Sequence, residues 1–363
     1  MTRLRCSCWG LLLSLLLYSA AAVAGESKTW AYLGWWLPDA WRSAPLGKID
    51  RLLFFALKVD ANGAIIERNG WPHKWGELRT ALAQHGTPLD LTLTLFDVAD
   101  FEQLFSSKQA QARLLDEATT LARHEAVAGL QLDVEIYSQL SPQLLENYAA
   151  FVRALSQRLR QQSPPRNLSV FYPLGGESAL YDAVTLDQVN HVVMQGYDAH
   201  WRGSKKAGPV APLRGTERVT WENALKQGLS LGVARERLLI SFPLYGYEWE
   251  VRGGQIRSET VSSGVATSYA PLPGGLLPDF PWSGAERAKQ YGSRHDPVSG
   301  SSYYQFVSPE GRFFEGWFED QRALTRKNDF LRKERLGGIV FFMLGYDESR
   351  LVDYHLTRRK ARR

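Results

Sequence analysis

Apolar and polar positions along the chain follow two alternating patterns. Short runs that are apolar throughout or at every second residue predict β-strands, and stretches with apolar residues three and four positions apart predict helices. Strands are predicted over residues 30–36, 51–59, 88–96, 128–135, 167–172, 191–197, 237–244 and 338–343. Helices are predicted over residues 75–85, 109–124, 141–162, 221–231, 318–335 and 348–359, the third with Ser141 as its N-cap.

This alternation of strands and helices predicts an α/β fold with a parallel sheet. About eight repeats favour closure into a (β/α)8 TIM barrel. An open, doubly wound sheet is the alternative, but no glycine-rich phosphate-binding turn follows the first strand. Residues 247–315 break the alternation, since they are dense in Gly, Ser, Tyr and Pro. We predict a small β-rich inserted lobe there, between the seventh strand and its helix, beside the mouth of the barrel.

One predicted strand carries acids on an otherwise apolar background. Three apolar residues alternate with an amide and two carboxylates in the run Leu130-Gln131-Leu132-Asp133-Val134-Glu135. Such polar groups are costly to bury without partners, so we interpret this strand as part of a functional site. An edge strand with one solvent-facing side is the alternative interpretation.

The first 24 residues have the pattern of a secretory signal peptide. Arg3 and Arg5 precede an apolar run over 11–17, and Ala22-Val23-Ala24 has small residues at the cleavage spacing. The run is too short for a convincing membrane span. We therefore expect cleavage after residue 24, export to the periplasm or the medium, and a mature domain over 25–363 without a membrane span. An uncleaved anchor is the alternative.

Composition narrows the chemistry of the mature chain. Cys6 and Cys8 both lie in the predicted signal, so we expect neither disulfides nor thiol chemistry. Removing Arg3 and Arg5 lowers the formal charge from +5 to +3, and no basic face typical of nucleic-acid binding is evident. No cluster has the ligand spacing of a metal site, and no cofactor is expected. The 12 Trp and 15 Tyr of the full chain, all but Trp9 and Tyr18 beyond the predicted signal, suit a groove that stacks on sugar rings.

Four segments, in this order, resemble signatures of glycoside hydrolase family 18, the chitinase-like barrels. Residues 128–135 resemble the fourth-strand motif Asp-Gly-x-Asp-x-Asp-x-Glu, and residues 195–198 the sixth-strand motif Met-x-Tyr-Asp. Residues 240–246 resemble Gly-x-Pro-x-Tyr-Gly, and residues 336–342 resemble Gly-Gly-x-x-x-Trp. The resemblance spans nearly the whole mature chain and implies a barrel in which many members carry an inserted lobe.

The resemblance implies substrate-assisted, retaining hydrolysis, in which the N-acetyl group of the sugar attacks its own anomeric carbon. Glu135 would protonate the leaving oxygen and later deprotonate water. Asp133 would hold the acetamide N–H, and Tyr197 would bind its carbonyl. Asp198 would contact sugar hydroxyls or adjust the acidity of Glu135.

The chain also departs from the family pattern. Ala128 and Gln131 replace the first two acids of the fourth-strand motif, Gln195 replaces the Met of the sixth, and Phe342 replaces the Trp of the eighth. Gln131 cannot share a proton with Asp133, but it can donate a hydrogen bond that favours ionised Asp133. We therefore expect slower or more narrowly pH-dependent catalysis than in a member with all the acids.

Further residues near predicted strand ends are candidates for sugar contact. These are Gln131, Gln195, Asp198, Tyr245 and Phe342, with Trp35, Trp36, Trp201 and Trp249 as stacking residues. Ordinary core packing is the alternative for each aromatic residue.

The sequence therefore predicts an exported glycoside hydrolase whose partner is a polysaccharide of β-linked, N-acetylated amino sugars. Chitin, peptidoglycan and an acetylated exopolysaccharide are the candidate polymers. The alternatives are a catalytically weak or inactive, lectin-like member of the same fold and an envelope scaffold. The polymer, endo or exo action and the oligomeric state stay open at this point.

Overall fold

The computed structural model describes residues 27–272 and 277–360. Within these residues the strands are β1 Lys28–Gly34, β2 Arg51–Val59, β3 Ile65–Glu67, β4 Leu89–Leu95, β5 Gly129–Val134, β6 Asn167–Tyr172, β7 His191–Met194, β8 Leu238–Pro243, β9 Tyr245–Val251, β10 Val265–Ser268, β11 Arg294–His295, β12 Ser302–Val307, β13 Phe313–Phe318 and β14 Gly338–Phe342. The α-helices are α1 Gly76–His85, α2 Val98–Ser106, α3 Lys108–Ala122, α4 Pro142–Arg160, α5 Ala183–Asp187, α6 Trp221–Ser230, α7 Gly284–Tyr291, α8 Gln321–Lys333 and α9 Arg350–Lys360.

The main sheet closes on itself. Its parallel strands follow the order β1-β14-β8-β7-β6-β5-β4-β2, and β1 pairs with β2 to complete the ring. The short β3 is the exception, since it pairs antiparallel to β2. This is the (β/α)8 TIM barrel that the sequence predicted. In such barrels the loops after the carboxyl ends of the strands form the mouth where ligands bind.

A second sheet lies between β8 and α8. Its strands are antiparallel and follow the order β10-β9-β13-β12-β11. The predicted inserted lobe, residues 247–315, contributes most of this sheet. The sheet extends beyond the predicted bounds at both ends, since β9 begins at Tyr245 and β13 ends at Phe318. Tyr303 and Trp317, paired across β12 and β13, stack with ring centroids 4.9 Å apart.

Several predicted boundaries were wrong for identifiable reasons. The predicted strand 191–197 ends at Met194, because the N–H of Gly196 bonds to the hydroxyl of Ser241 and Asp198 adopts a positive φ of 61°. The predicted helix 318–335 starts at Gln321, because Phe318 is the last residue of β13.

Three helices were not predicted from sequence. The clearest is α2, which begins after Asp97, whose carboxylate accepts the N–H of Asp100. Phe101, Leu104 and Phe105 form its buried face. The others are the short α5 and α7.

No helix among the described residues is long and apolar enough to cross a membrane. The predicted signal peptide, residues 1–24, lies outside the described residues.

Candidate active site

Asp133 and Glu135 lie at the mouth end of β5. Asp133 is the penultimate residue of the strand and pairs in register with Thr94 of β4. Glu135 is the first residue beyond the strand, and its N–H donates to the carbonyl of Leu95 at 3.2 Å. Asp133 is only 4% exposed, whereas Glu135 is half-buried and reaches the open end of the barrel.

Burial controls the acidity of this pair. Burial and the charge of Glu135 raise the pKa of Asp133 well above its usual range. Burial also raises the pKa of Glu135, and a hydrogen bond from Tyr137 partly offsets that increase. Two carboxyl groups in a poorly solvated site resist simultaneous ionisation. The pair therefore retains a proton at pH values where exposed carboxyl groups have lost theirs, as a general acid requires.

Gln131 does not act on Asp133 as the sequence suggested. Its Oε1 accepts from the hydroxyl of Thr92 at 3.3 Å, while its Nε2 and the Oδ1 of Asp133 both lack hydrogen-bond partners. The hydrogen bond that Gln131 could donate to Asp133 is not formed, and burial is the largest influence on the pKa of Asp133. Gln131 is also fully buried two residues deeper in the barrel than Asp133, so it offers no surface for a sugar.

Tyr197 and Asp198 reach the site from the loop after β7. The hydroxyl of Tyr245 donates to Oδ1 of Asp198 at 2.6 Å. Burial raises the pKa of Asp198 to about 6, with that hydrogen bond opposing the shift and the charge of Glu135 adding to it. Burial likewise raises the pKa of Tyr197 well above its usual range, so its phenol stays a hydrogen-bond donor.

Phe342, the last residue of β14, is the centre of an aromatic floor. The centroid of its ring lies 5.4 Å from the ring centroids of both Tyr32 and Tyr197, 5.6 Å from that of Phe55 and 6.3 Å from that of Tyr245. Sequence reasoning missed Tyr32 and Phe55. Their position near the carboxyl ends of the first two strands was the signal that could have identified them.

The predicted tryptophans separate into two groups. Trp35 and Trp36 directly follow β1, and Trp35 is 47% exposed. The indole N–H of Trp36 donates to the hydroxyl of Tyr346 at 3.1 Å. Trp249, by contrast, is fully buried, and its indole donates to the carbonyl of Arg202. Its predicted role in sugar stacking is therefore wrong, because it packs inside the fold with both ring faces covered.

Gln195 is also engaged by the protein. Its Oε1 accepts the N–H of Leu174 at 2.9 Å and so holds the loop after β6. It is 8% exposed, and the predicted sugar contact is not available to that oxygen. Tyr245, 6% exposed, lies in the aromatic floor and acts through Asp198.

Exposed aromatic side chains cluster around the mouth. Among the described residues, the exposed ones are Trp35, Phe96, Tyr137, Trp201 and Phe313. All but Phe313 lie in segments that directly follow barrel strands. Sequence reasoning missed Phe96 and Tyr137, although both lie within three residues of a strand end. Flat apolar faces at this end of the barrel suit sugar rings.

The arrangement does not resemble a metal centre. In the part of the chain that the structure describes, no three His, Cys, Asp or Glu side chains are placed to hold a metal ion. The groups at the mouth are carboxyls, phenols and aromatic rings. Their chemistry is proton transfer and hydrogen bonding to an uncharged ligand.

Comparison with known families decides the class. The family model for "Glycosyl hydrolases family 18" matches residues 39–347. The chain belongs to glycosyl hydrolase family 18. This is a family of glycoside hydrolases on a TIM barrel, and the match covers β2 to β8 and β14, including β5 with Asp133 and the next residue beyond it, Glu135.

Relatives of this family 18 chain include enzymes of bacterial spores and plants. The putative sporulation-specific glycosylase YdhD of Bacillus subtilis is 26% identical over 285 residues, which are 74% of this chain and 60% of that protein. The spore cortex-lytic enzyme SleL of Bacillus cereus superimposes with a TM-score of 0.70 at 19% identity, covering 91% of this chain and 74% of SleL. A GH18 chitinase double mutant from Cycas revoluta, solved with (GlcNAc)4, gives 0.73 at 16% identity, covering 92% and 100%.

Proposed function

We propose that this family 18 chain cleaves β-linked polymers of N-acetylated amino sugars, with Glu135 as the acid and base of a substrate-assisted, retaining reaction. One observation carries the proposal. Glu135 is half-buried at the mouth beside buried Asp133, and burial raises the pKa of both. This is the state that a proton donor to a glycosidic oxygen requires.

In the first half of the proposed reaction, Glu135 gives its proton to the glycosidic oxygen while the bond from the anomeric carbon to that oxygen breaks. The acetamide oxygen of the same sugar bonds to the anomeric carbon and forms an oxazolinium ion. Asp133 holds the acetamide N–H and stabilises the positive charge. The phenol of Tyr197 donates to the acetamide carbonyl.

In the second half, the carboxylate of Glu135 removes a proton from water. The water oxygen bonds to the anomeric carbon, and the acetamide is released with retention of configuration. Asp198, held by Tyr245, contacts sugar hydroxyls or influences Glu135 through its charge.

Chitin, peptidoglycan and an acetylated exopolysaccharide are the proposed polymers. The structural neighbours include a spore cortex-lytic enzyme and a chitinase solved with (GlcNAc)4, and this similarity supports the choice of polymers. The exposed rings of Trp35, Phe96, Tyr137 and Trp201 support a chain-like substrate. Phe342 offers a smaller face than Trp, which favours a weaker grip on the sugar above it.

We also propose that the enzyme is exported to the periplasm or the medium. The proposal rests on the composition of residues 1–24, which have a basic start, an apolar run and small residues at the cleavage spacing. Fractionation of producing cells, with sequencing of the mature N-terminus, tests it. A mature chain that begins after Ala24 in the exported fraction supports it, and full-length chain in the cytoplasm contradicts it.

A substrate screen tests the activity. Wild type and Glu135→Gln are assayed for reducing ends released from chito-oligosaccharides, peptidoglycan and N-acetylated glucosamine polymer, with the exposed Glu310→Gln as matched control. We expect Glu135→Gln to lose about 10²- to 10⁴-fold in kcat on the true substrate and Glu310→Gln to lose nothing. The proposal fails if wild type and Glu135→Gln release product equally on all three.

The second candidate is a lectin-like binding protein. Ala128 and Gln131, which replace two acids of the family motif, favour it, whereas the retained Glu135 favours catalysis. A protein that is inert on every polymer but binds one of them, with equal affinity in wild type and Glu135→Gln, supports this second function.

A further inference from the structure

Tyr137 reaches back to the proposed catalytic acid. Its hydroxyl donates to Oε2 of Glu135 at 2.5 Å. The other carboxylate oxygen, Oε1, has no hydrogen-bond partner among the described residues. The ring of Tyr137 is 61% exposed, so this contact lies on the open side of the site.

The position of Tyr137 is determined by the loop after β6. The carbonyl of the preceding Ile136 accepts the N–H of Glu177 at 2.5 Å, which ties the two loops together. The ring then lies against the backbone at Gly175, where an added Cβ would be 3.3 Å from Cε1 of Tyr137. A side chain at 175 would therefore press on the edge of the ring, and glycine avoids that contact.

The hydrogen bond from Tyr137 to Glu135 is important because of the other charged and polar groups around Glu135. Those that interact electrostatically with Glu135 are Tyr32, Asp133, Tyr137, Tyr197 and Asp198. None of them is a cation, and in the described part of the chain Glu135 has no ion pair with Lys, Arg or His. Tyr137 therefore supplies the hydrogen bond that stabilises the ionised carboxylate.

We propose that Tyr137 is a positioning residue for Glu135: it holds Oε2, directs Oε1 toward the glycosidic oxygen and stabilises the carboxylate that activates water. The proposal rests on the proposed function of Glu135. In the first half-reaction the proton leaves from Oε1, and in the second the same oxygen receives a proton from water. Tyr137 keeps its own proton throughout, since partial desolvation of its phenol and the charge of Glu135 raise the pKa of that phenol above the usual range.

A direct titration tests the contact without requiring a substrate. Protein labelled with ¹³C at glutamate carboxyls is titrated by NMR, and the Glu135 signal is assigned by its loss in Glu135→Gln. We expect Tyr137→Phe to increase the pKa of Glu135 by at least about 0.5, because a hydrogen bond to the ionised form is lost. The control Tyr354→Phe removes a hydroxyl that bonds to Thr325 on α8, and it leaves Glu135 unchanged.

A second variant tests the geometry. Gly175→Val keeps the Tyr137 hydroxyl but presses on the edge of its ring, so we expect it to increase the pKa of Glu135 in the same direction. An unchanged Glu135 pKa in both variants overturns the proposal. If Gly175→Val does not fold, Tyr137→Phe alone decides the test, because it removes a single hydroxyl from a largely exposed side chain.

The kinetic arm separates this proposal from the proposed function. On the substrate identified by the screen, the basic limb of the kcat/KM profile of Tyr137→Phe moves to higher pH together with the Glu135 pKa. A shifted pKa with an unshifted kinetic limb overturns the positioning role. A shifted pKa in a protein that is inert on every polymer contradicts the proposed function and leaves the contact established.

Discussion

Carboxyl groups in this protein differ in acidity according to what each side chain touches. Asp133 is buried, its Oδ1 has no hydrogen-bond partner, and burial raises its pKa. For Glu217, burial acts in the same direction, but its contact with His200, a backbone hydrogen bond and the guanidinium of Arg257 together outweigh it and lower the pKa to about 2. The first environment suits proton transfer, and the second suits a permanent ion pair.

Asp198 allows a test of this difference. Its pKa of about 6 means that the folded state binds a proton more tightly than the unfolded state, so ionisation above pH 6 costs stability. We expect Asp198→Asn to exceed wild type in free energy of unfolding by roughly 1–2 kcal/mol at pH 8 and by little at pH 4. Partial exposure of the Asp198 side chain to solvent screens its charge and keeps the difference this small.

Urea unfolding at the two pH values measures the effect. The groups that face Asp198 are Tyr137, Tyr197, Tyr245, Tyr247 and Glu135, and an amide at position 198 keeps one acceptor oxygen for the hydroxyl of Tyr245. The exposed Asp353→Asn serves as control and should show no such pH dependence. A difference between Asp198→Asn and wild type that is equal at pH 4 and pH 8 contradicts the interpretation.

Strands and helices were predictable where local pattern and burial agree. The strands Arg51–Val59 and Asn167–Tyr172 have the predicted bounds, and Ser141 caps α4 as predicted, accepting the N–H of Leu144. Boundaries failed where distant groups intervene. The start of α8 is an example, because the preceding residues pair with the inserted sheet and Asp320 caps the helix.

Within α8, Lys327 forms a fully buried ion pair that sequence could not reveal. Its ammonium donates to Oε2 of Glu319 at 2.6 Å, and neither side chain is exposed. The hydroxyl of Ser301 donates to the other carboxylate oxygen at 2.5 Å. The pair therefore joins α8 to the loop that enters it from the inserted sheet.

Removing only the cation should be far more damaging than removing the pair. We expect Lys327→Met to lose about 3–5 kcal/mol of unfolding free energy, because Glu319 is left buried without a counter-charge. The double variant Lys327→Met/Glu319→Gln should recover most of that loss. The control Arg332→Met breaks an exposed pair on the same helix and should cost less than about 0.5 kcal/mol. Equal losses in the single and double variants would refute the argument.

The barrel and the inserted sheet are connected by a second set of charges. The guanidinium of Arg257 bonds to Glu217, in the loop before α6, at 2.5 Å and to Asp296, beside β11, at 3.0 Å. The N–H of Arg257 also donates to Glu315 of β13. Arg257 thus links the loop that follows Asp198 to the sheet beside the mouth.

This link should be sensitive to acid. The pKa of Glu217 is below its usual value, so its contribution to stability is present above about pH 4.5 and is lost as pH falls toward 2. We expect Arg257→Met to cost about 1–3 kcal/mol at pH 7 and progressively less below pH 4.5. Urea titrations at pH 7, 4 and 3 measure this, with Arg312→Met, which breaks an exposed pair in the same sheet, as control. A cost that stays constant with pH would contradict it.

The order of apolar and polar residues by itself determined the parallel barrel and the strand that contains Asp133 and ends just before Glu135. Those features depend on local periodicity and on motifs read within a few residues. Tertiary structure alone decided which side chains act together. Trp249 and Gln195 matched expected positions but are covered by other parts of the fold, and Tyr137 entered the site through a contact that no motif encodes. Burial and the charge of Glu135 raise the pKa of Asp133, and the burial depends on residues far apart in sequence.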